Sequence, residues 1–304
     1  MDSTAIYLGF DGGGSTSRFL MRRGEAVPQL YTFALNLKYS DLGIEESVKG
    51  FSACLNNILG AEISLLKGIC ISLSGASDEV MNKQFEQALQ NELNLPELKI
   101  HSESDSSFAL ETAYPGNQSG MLLIAGTGSV AIAKKHNGEV VRVGGWGRLL
   151  GDEGSGYWIG LQALKHYCKV MDGAESAGEL FVTIGQKLHD ETGSNLSPLR
   201  DKLYREEIKP QHYAPLVFES LPADSSAEDI LFDAAGNLMI DLESLWNKVS
   251  AECEPIITFH GAIARQPFIA DYFEENCEAI GLTCKMLEGE RVLYRALLIS
   301  MSLS

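Results

Sequence analysis

Two glycine turns and three carboxylates carry the chemistry that can be read from this chain. FDGGGSTS places Asp11 at the end of an apolar run and follows it with Gly12, Gly13, Gly14, Ser15 and Thr16. Glycine lets backbone amides approach a phosphate closely and adopt positive φ without strain, and the two hydroxyls add donors. Asp11 is a candidate ligand for Mg2+, an ion that keeps several of its waters and takes one or two carboxylates. The competing reading is a hairpin whose glycines serve only the turn. IAGTGSVA repeats the pattern with Gly126, Thr127, Gly128 and Ser129. A pair of such turns is far less expected by chance than one. Neither is the dinucleotide fingerprint, which needs a helix directly after the turn, nor the P-loop, which ends in Gly-Lys-Ser/Thr.

RVGGWGRLLGDEGSGYWIG is the densest segment, bringing Gly145, Trp146, Gly147, Asp152 and Glu153 together ahead of an amphipathic helix. Asp152 and Glu153 are placed to bind sugar hydroxyls or act on a proton, and Trp146 to support a pyranose face. Alternatively, GDEGSG caps the helix, with its acids favoured by the dipole. Asp105, in HSESDSSFAL, falls where a strand gives way to a helix, the position from which α/β sheets offer catalytic groups. It is a candidate general base for a substrate hydroxyl, because phosphoryl transfer from ATP needs positioning, charge neutralisation and an oriented nucleophile. A helix N-cap is the other reading of Asp105, and Glu103 and Ser104 are neighbouring candidates for the base.

The elements that must hold these groups follow from periodicity. AIYLGFD and SRFLMRR read as strands joined by the first turn, with a third strand near residues 29–35. Apolar residues at Ile44, Val48, Phe51, Leu55 and Ile58 mark a helix over about 41–59. LLKGICISLSG is a buried strand, MNKQFEQALQNEL a helix stopping before Pro96, LKIHSESD a strand and SFALETAY a short helix. At Gly120 the pattern restarts with strand, turn and strand, then a third strand in GEVVRVGGWG. Beyond Ser155 the chain reads as mainly helical, with IITFHGAI the last core strand and residues 291–301 a closing helix. The repeated opening predicts two domains of related topology, over 1–117 and 118–289, the first completed by the helix of 290–304.

Composition narrows the partners. The 304 residues, 45% of them hydrophobic, are enough for two cores, and a formal charge of -17 repels nucleic acid and anionic membrane. Six scattered cysteines without a CxxC pair read as reduced thiols. The start of the chain shows no basic segment leading into a long apolar run, and no stretch approaches the roughly 18 to 20 apolar residues of a membrane span. The expectation is a cytoplasmic protein.

FDGGGSTS, SLSGASDE, IAGTGSVA and GGWGRLLGDEGSGYWIG together resemble the BadF/BadG/BcrA/BcrD group, specifically its N-acetylglucosamine kinase branch within the actin/hexokinase/Hsp70 superfamily. The likeness runs in order to about Gly160. It implies an α/β fold of two RNase H-like (actin-like ATPase) domains with a ligand cleft between them, ATP and Mg2+ as cofactors, and phosphorylation of a small-molecule amino sugar, typically at the 6-hydroxyl. Carried over by motif, Asp11 and Ser15 face the phosphates and metal, Thr127 contacts ATP, and Asn36, Ser74, Gly75, Gly145 to Gly147 and Asp152 form the sugar site with Asp105 as base. Gly261, Ala262 and Arg265 stand where the family has its adenosine segment. The family also implies a homodimer. Two other readings stay open: an ATPase that activates a dehydratase or reductase by electron transfer, which would carry an iron–sulfur cluster, and a sugar or nucleotide sensor without turnover. N-acetylglucosamine, glucosamine, N-acetylmuramic acid and glucose differ by substituents that the sequence does not separate.

Overall fold

The computed structural model describes residues 4–12, 17–34, 37, 39–73, 76, 78–193 and 199–303. Gly13, Gly14, Ser15, Thr16, Asn36, Ser74 and Gly75 lie outside them. The chain divides into two compact units, 1–115 with 288–304, and 116–287.

The first unit runs β1 (Ile6–Gly12), β2 (Ser17–Arg23), β3 (Gln29–Phe33), α1 (Tyr39–Leu42), α2 (Ile44–Leu59), β4 (Leu66–Leu73), α3 (Glu79–Glu92), β5 (Lys99–Ser104) and α4 (Asp105–Ala113). The second runs β6 (Gly120–Ala125), β7 (Ser129–Lys134), β8 (Val140–Gly144), α5 (Gly156–Met171), α6 (Glu179–Thr192), α7 (Leu199–Tyr204), α8 (Ala214–Glu219), α9 (Ser225–Val249), β9 (Ile256–His260), α10 (Pro267–Ala279) and β10 (Thr283–Met286). The last helix, α11 (Gly289–Ser302), returns to the first unit.

Each unit is built on a five-stranded mixed sheet, ordered β3-β2-β1-β4-β5 and β10-β9-β6-β7-β8. Read from opposite ends these are one topology. An antiparallel meander of three strands is extended, beside its first strand, by two parallel strands. The shared topology is what the repeated turns predicted, and it is the RNase H-like order that the resemblance implied.

β1 is buried along both faces, and the residue types say why. Ile6, Leu8 and Phe10 enter a core where Phe10 meets Phe19 and Phe51 at ring separations of 4.6 and 4.5 Å. The opposite face takes α11, and two glycines let it come close. A Cβ on Gly9 would lie 2.4 Å from the Leu297 amide nitrogen, and one on Gly68 would lie 2.1 Å from the Ser300 carbonyl. In the second unit α9 presents Ala234, Leu238, Leu242, Leu245 and Val249 to a separate core. Asp224 starts this helix by accepting the Ser226 and Ala227 amides, and also takes the Leu180 amide at the head of α6.

One element was not expected. β9 is the last strand that enters the core, and a short, mostly exposed edge strand, β10, follows it and pairs with it in parallel.

Candidate functional site

In the first unit the polar groups stand at the C-terminal ends of the strands. Register places Asp11 opposite Arg18 across the hairpin and opposite Ser72 on β4, and Ser72 opposite Glu103 on β5. In-register neighbours on one face are within side-chain reach. Asp11 Oδ2 pairs with the Arg18 guanidinium, and both side chains are partly exposed. Ser72 is fully buried, and its hydroxyl has no hydrogen-bond partner among the described residues.

Ser104, not Asp105, caps α4. Its hydroxyl accepts the Ser107 amide at 3.2 Å, while Asp105 begins the helix and Oδ1 accepts the Ser106 amide at 2.7 Å. A carboxylate there gains from the helix dipole. It is half-buried at the mouth of β5.

In the second unit the β6–β7 turn is fastened to the start of α5. Gly126 donates its amide to Gly128 O at 2.9 Å, and the Gly126 and Thr127 carbonyls accept the Gly156 and Tyr157 amides at 2.8 and 3.1 Å. Ser129 is buried, and its hydroxyl donates to the Glu153 carbonyl at 3.0 Å. Gly126 N–H and the Ser129 hydroxyl therefore serve the turn itself.

GDEGSG is more than a cap. Ser155 performs the capping, accepting the Trp158 amide at 3.3 Å, and both acids lie ahead of it. Asp152 holds a left-handed φ of 61°, unusual for a residue with a side chain. Its carboxylate lies against Gly128, where an added Cβ would come 2.7 Å from Oδ2. Gly145 and Gly147 also have positive φ, and Trp146 between them is 68% exposed beneath the Arg142 guanidinium at 5.2 Å.

The turn after β9 closes on the same region. Ile263 and Ala264 both donate to the Ala125 carbonyl, at 3.0 and 3.2 Å. Only glycine fits at 261, where φ is 107° and a Cβ would sit 2.3 Å from that carbonyl. Ala262 is exposed, and Arg265 donates from Nη2 to Leu287 O at 2.6 Å. The structure thus brings together the 126–129 turn, the 144–154 segment and the 261–264 turn.

Sequence reading missed three residues. Arg18 is fixed by hairpin register, which the length of the glycine turn implies. Ser72 opens the SLSGASDE motif, two positions before Ser74. Asp241 is half-buried on α9, in step with the buried Ala234, Leu238 and Leu245, and a carboxylate beside such a stripe is the signal that finds it. A Cβ on Gly144 would lie 2.5 Å from Asp241 Oδ2. Burial first, and then the charges of Glu153 and Asp152, hold the Asp241 carboxyl above the usual aspartate range.

Residues 8–279 match the BadF/BadG/BcrA/BcrD ATPase family. The chain belongs to that family. It is similar to an N-acetyl-D-glucosamine kinase of Dictyostelium discoideum, 26% identical over 314 residues that cover 96% of this chain and 98% of the relative. An N-acetylmuramic acid/N-acetylglucosamine kinase of Clostridium acetobutylicum is 26% identical over 277 residues, covering 88% and 89%. Among solved structures, a Chromobacterium violaceum protein provisionally named an N-acetylglucosamine kinase superposes with a TM-score of 0.72 at 22% identity, covering 99% of this chain and 100% of that one. At that identity the likeness carries the fold, a two-domain actin-like ATPase architecture.

Mg2+ is implied by the family rather than seen, and Asp11 fits it in one mode. Among the described residues no group of three or more His, Cys, Asp or Glu is placed to hold a metal. A single strand-end carboxylate suits an ion that retains its waters and arrives on a nucleotide. Arg18 already neutralises that carboxylate and competes with the ion for it.

Proposed function

We propose that this protein is an ATP-dependent kinase of an amino sugar, most simply N-acetylglucosamine, acting on the 6-hydroxyl. The observation that carries the reading is Asp105. It is a partly exposed carboxylate at the first turn of α4, relieved of capping by Ser104, on a fold whose similar proteins are named for phosphorylating such sugars.

In this reading Asp105 accepts the proton of the sugar hydroxyl as its oxygen bonds to the γ-phosphorus and the bond to the ADP oxygen breaks. Asp152, with Gly145, Trp146 and Gly147, holds the sugar, and Asn36, Ser74 and Gly75 complete its binding. Thr127 and Gly128, with the Gly12–Thr16 turn, bind phosphate oxygens, and Gly261, Ala262 and Arg265 the nucleoside. Mg2+ held near Asp11 would supply charge neutralisation on the phosphates. Asp241 lies behind Gly144, where burial and then the charges of Glu153 and Asp152 favour its protonated form.

A coupled ADP-release assay with magnesium ATP tests the reading across N-acetylglucosamine, glucosamine, N-acetylmuramic acid and glucose, with a sugar-free blank. Release that depends on one sugar is expected. Equal release in the blank, or none with any sugar, overturns it.

A further inference from the structure

β10 has four residues, and Cys284 is the one of them turned partly inward, while Thr283, Lys285 and Met286 are exposed. Its sulfur lies 3.9 Å from the carbonyl oxygen of Phe273, one helical turn before Cys277 on α10. Cys277 is fully buried, and its carbonyl accepts the Leu282 amide at 2.9 Å, which folds the chain back so that the strand runs beside the helix. Neither cysteine is in a disulfide. The neighbouring Cys277 thiol holds Cys284 below the usual thiol range, and Cys284 together with burial pushes Cys277 up. A partly exposed thiol favoured as thiolate, with a buried second thiol beside it across the reversal, has the arrangement of an attacking and a resolving cysteine.

We propose that Cys277 and Cys284 form a thiol–disulfide modification site, at which a small diffusible disulfide of the oxidised-glutathione class converts the pair into an intramolecular disulfide. The Cys284 thiolate attacks one sulfur of the reagent, whose S–S bond breaks, leaving a mixed disulfide and releasing one small thiol. Cys277 then loses its proton to solvent and attacks the Cys284 sulfur, which forms the protein disulfide and releases the second small thiol. Two protein thiols are oxidised and one reagent disulfide is reduced to two thiols. The bond ties the edge strand to α10 just ahead of Leu287, whose carbonyl anchors Arg265 and faces His260 Nδ1 at 3.2 Å, and whose amide donates to Phe259 O at 2.8 Å.

The test is peptide mapping of the full chain after exposure to oxidised glutathione, acid quench and alkylation. Residues 266–285 form one tryptic peptide that contains these two cysteines and no other. In the native protein this peptide is expected to lose two hydrogens and to resist alkylation until reduced. The same treatment in urea should give at least tenfold less of it at equal time. Cys277→Ser should instead retain one glutathione on Cys284. Hydrogen exchange at residues 283–287 should slow in the oxidised native protein. The proposal is overturned if both cysteines alkylate after native oxidation, if the wild-type peptide keeps a glutathione, or if folded and unfolded chains react equally.

Discussion

The two units share one strand order and differ in what stands at the strand ends. β1 carries Asp11 one residue before its end, partly exposed and paired with Arg18, whereas the matching strand β6 ends on Ala125, fully buried with two amides on its carbonyl. The first unit carries its acids on the sheet and the helix directly after it, at Asp11, Glu103 and Asp105. The second unit offers backbone at the corresponding places and brings its acids from elsewhere, Asp152 and Glu153 from a loop and Asp241 from α9. The crossover between third and fourth strands is also unequal: among the described residues, two α-helices lie within 39–59 against five within 156–249. Topology fixes where loops emerge, and the residues at those exits decide what each copy does.

The sharpest way to break this division is at Asp105. Asp105→Asn keeps the shape and removes the base, so kcat should fall about 100- to 10,000-fold with sugar affinity by calorimetry little changed. Near-normal turnover would move the base elsewhere. Converting the second unit's strand end to the first's, Ala125→Asp, buries a charge without a partner and should cost about 3–5 kcal/mol in urea unfolding. A loss below about 1 kcal/mol would mean that the two strand ends are interchangeable. The reverse change, Asp11→Ala, should leave folding intact and raise the Mg2+ concentration for half-maximal rate about 10- to 100-fold. An unchanged magnesium titration would remove Asp11 from that role.

Asp241→Asn has the smallest expected effect and a defined sign. The folded chain holds the Asp241 proton more tightly than the unfolded chain does, so the stability this group contributes is present at low pH and lost as pH rises through its raised folded value. Asparagine avoids that loss. The variant should melt higher than the parent near neutral pH, and the two should converge in acid. A variant that melts lower at neutral pH would show that the charged form is needed behind Gly144.

Much of this could be read before any coordinates. The two openings of strand, glycine turn and strand gave both hairpins, because a pair of apolar runs across a tight turn has few other ways to pair. Asp105 and Asp152 stand out in the sequence as candidates because acids at a strand end or in a glycine loop lack a packing reason to be there. β10 was not found, since four residues with one partly buried position carry no period to read. Asp241 was hidden by the helix that carries it, and Arg18 by the attention its glycine neighbours draw. The Cys277–Cys284 contact arises from a reversal between helix and strand, which spacing alone does not reveal.

The most direct test of the central claim is the ratio of phosphosugar formed to ADP released, measured by phosphorus NMR with magnesium ATP and N-acetylglucosamine. The account predicts one phosphosugar for every ADP, with the phosphate on the 6-hydroxyl and none formed by Asp105→Asn. ADP without phosphosugar, or phosphosugar formed equally by that variant, would contradict it.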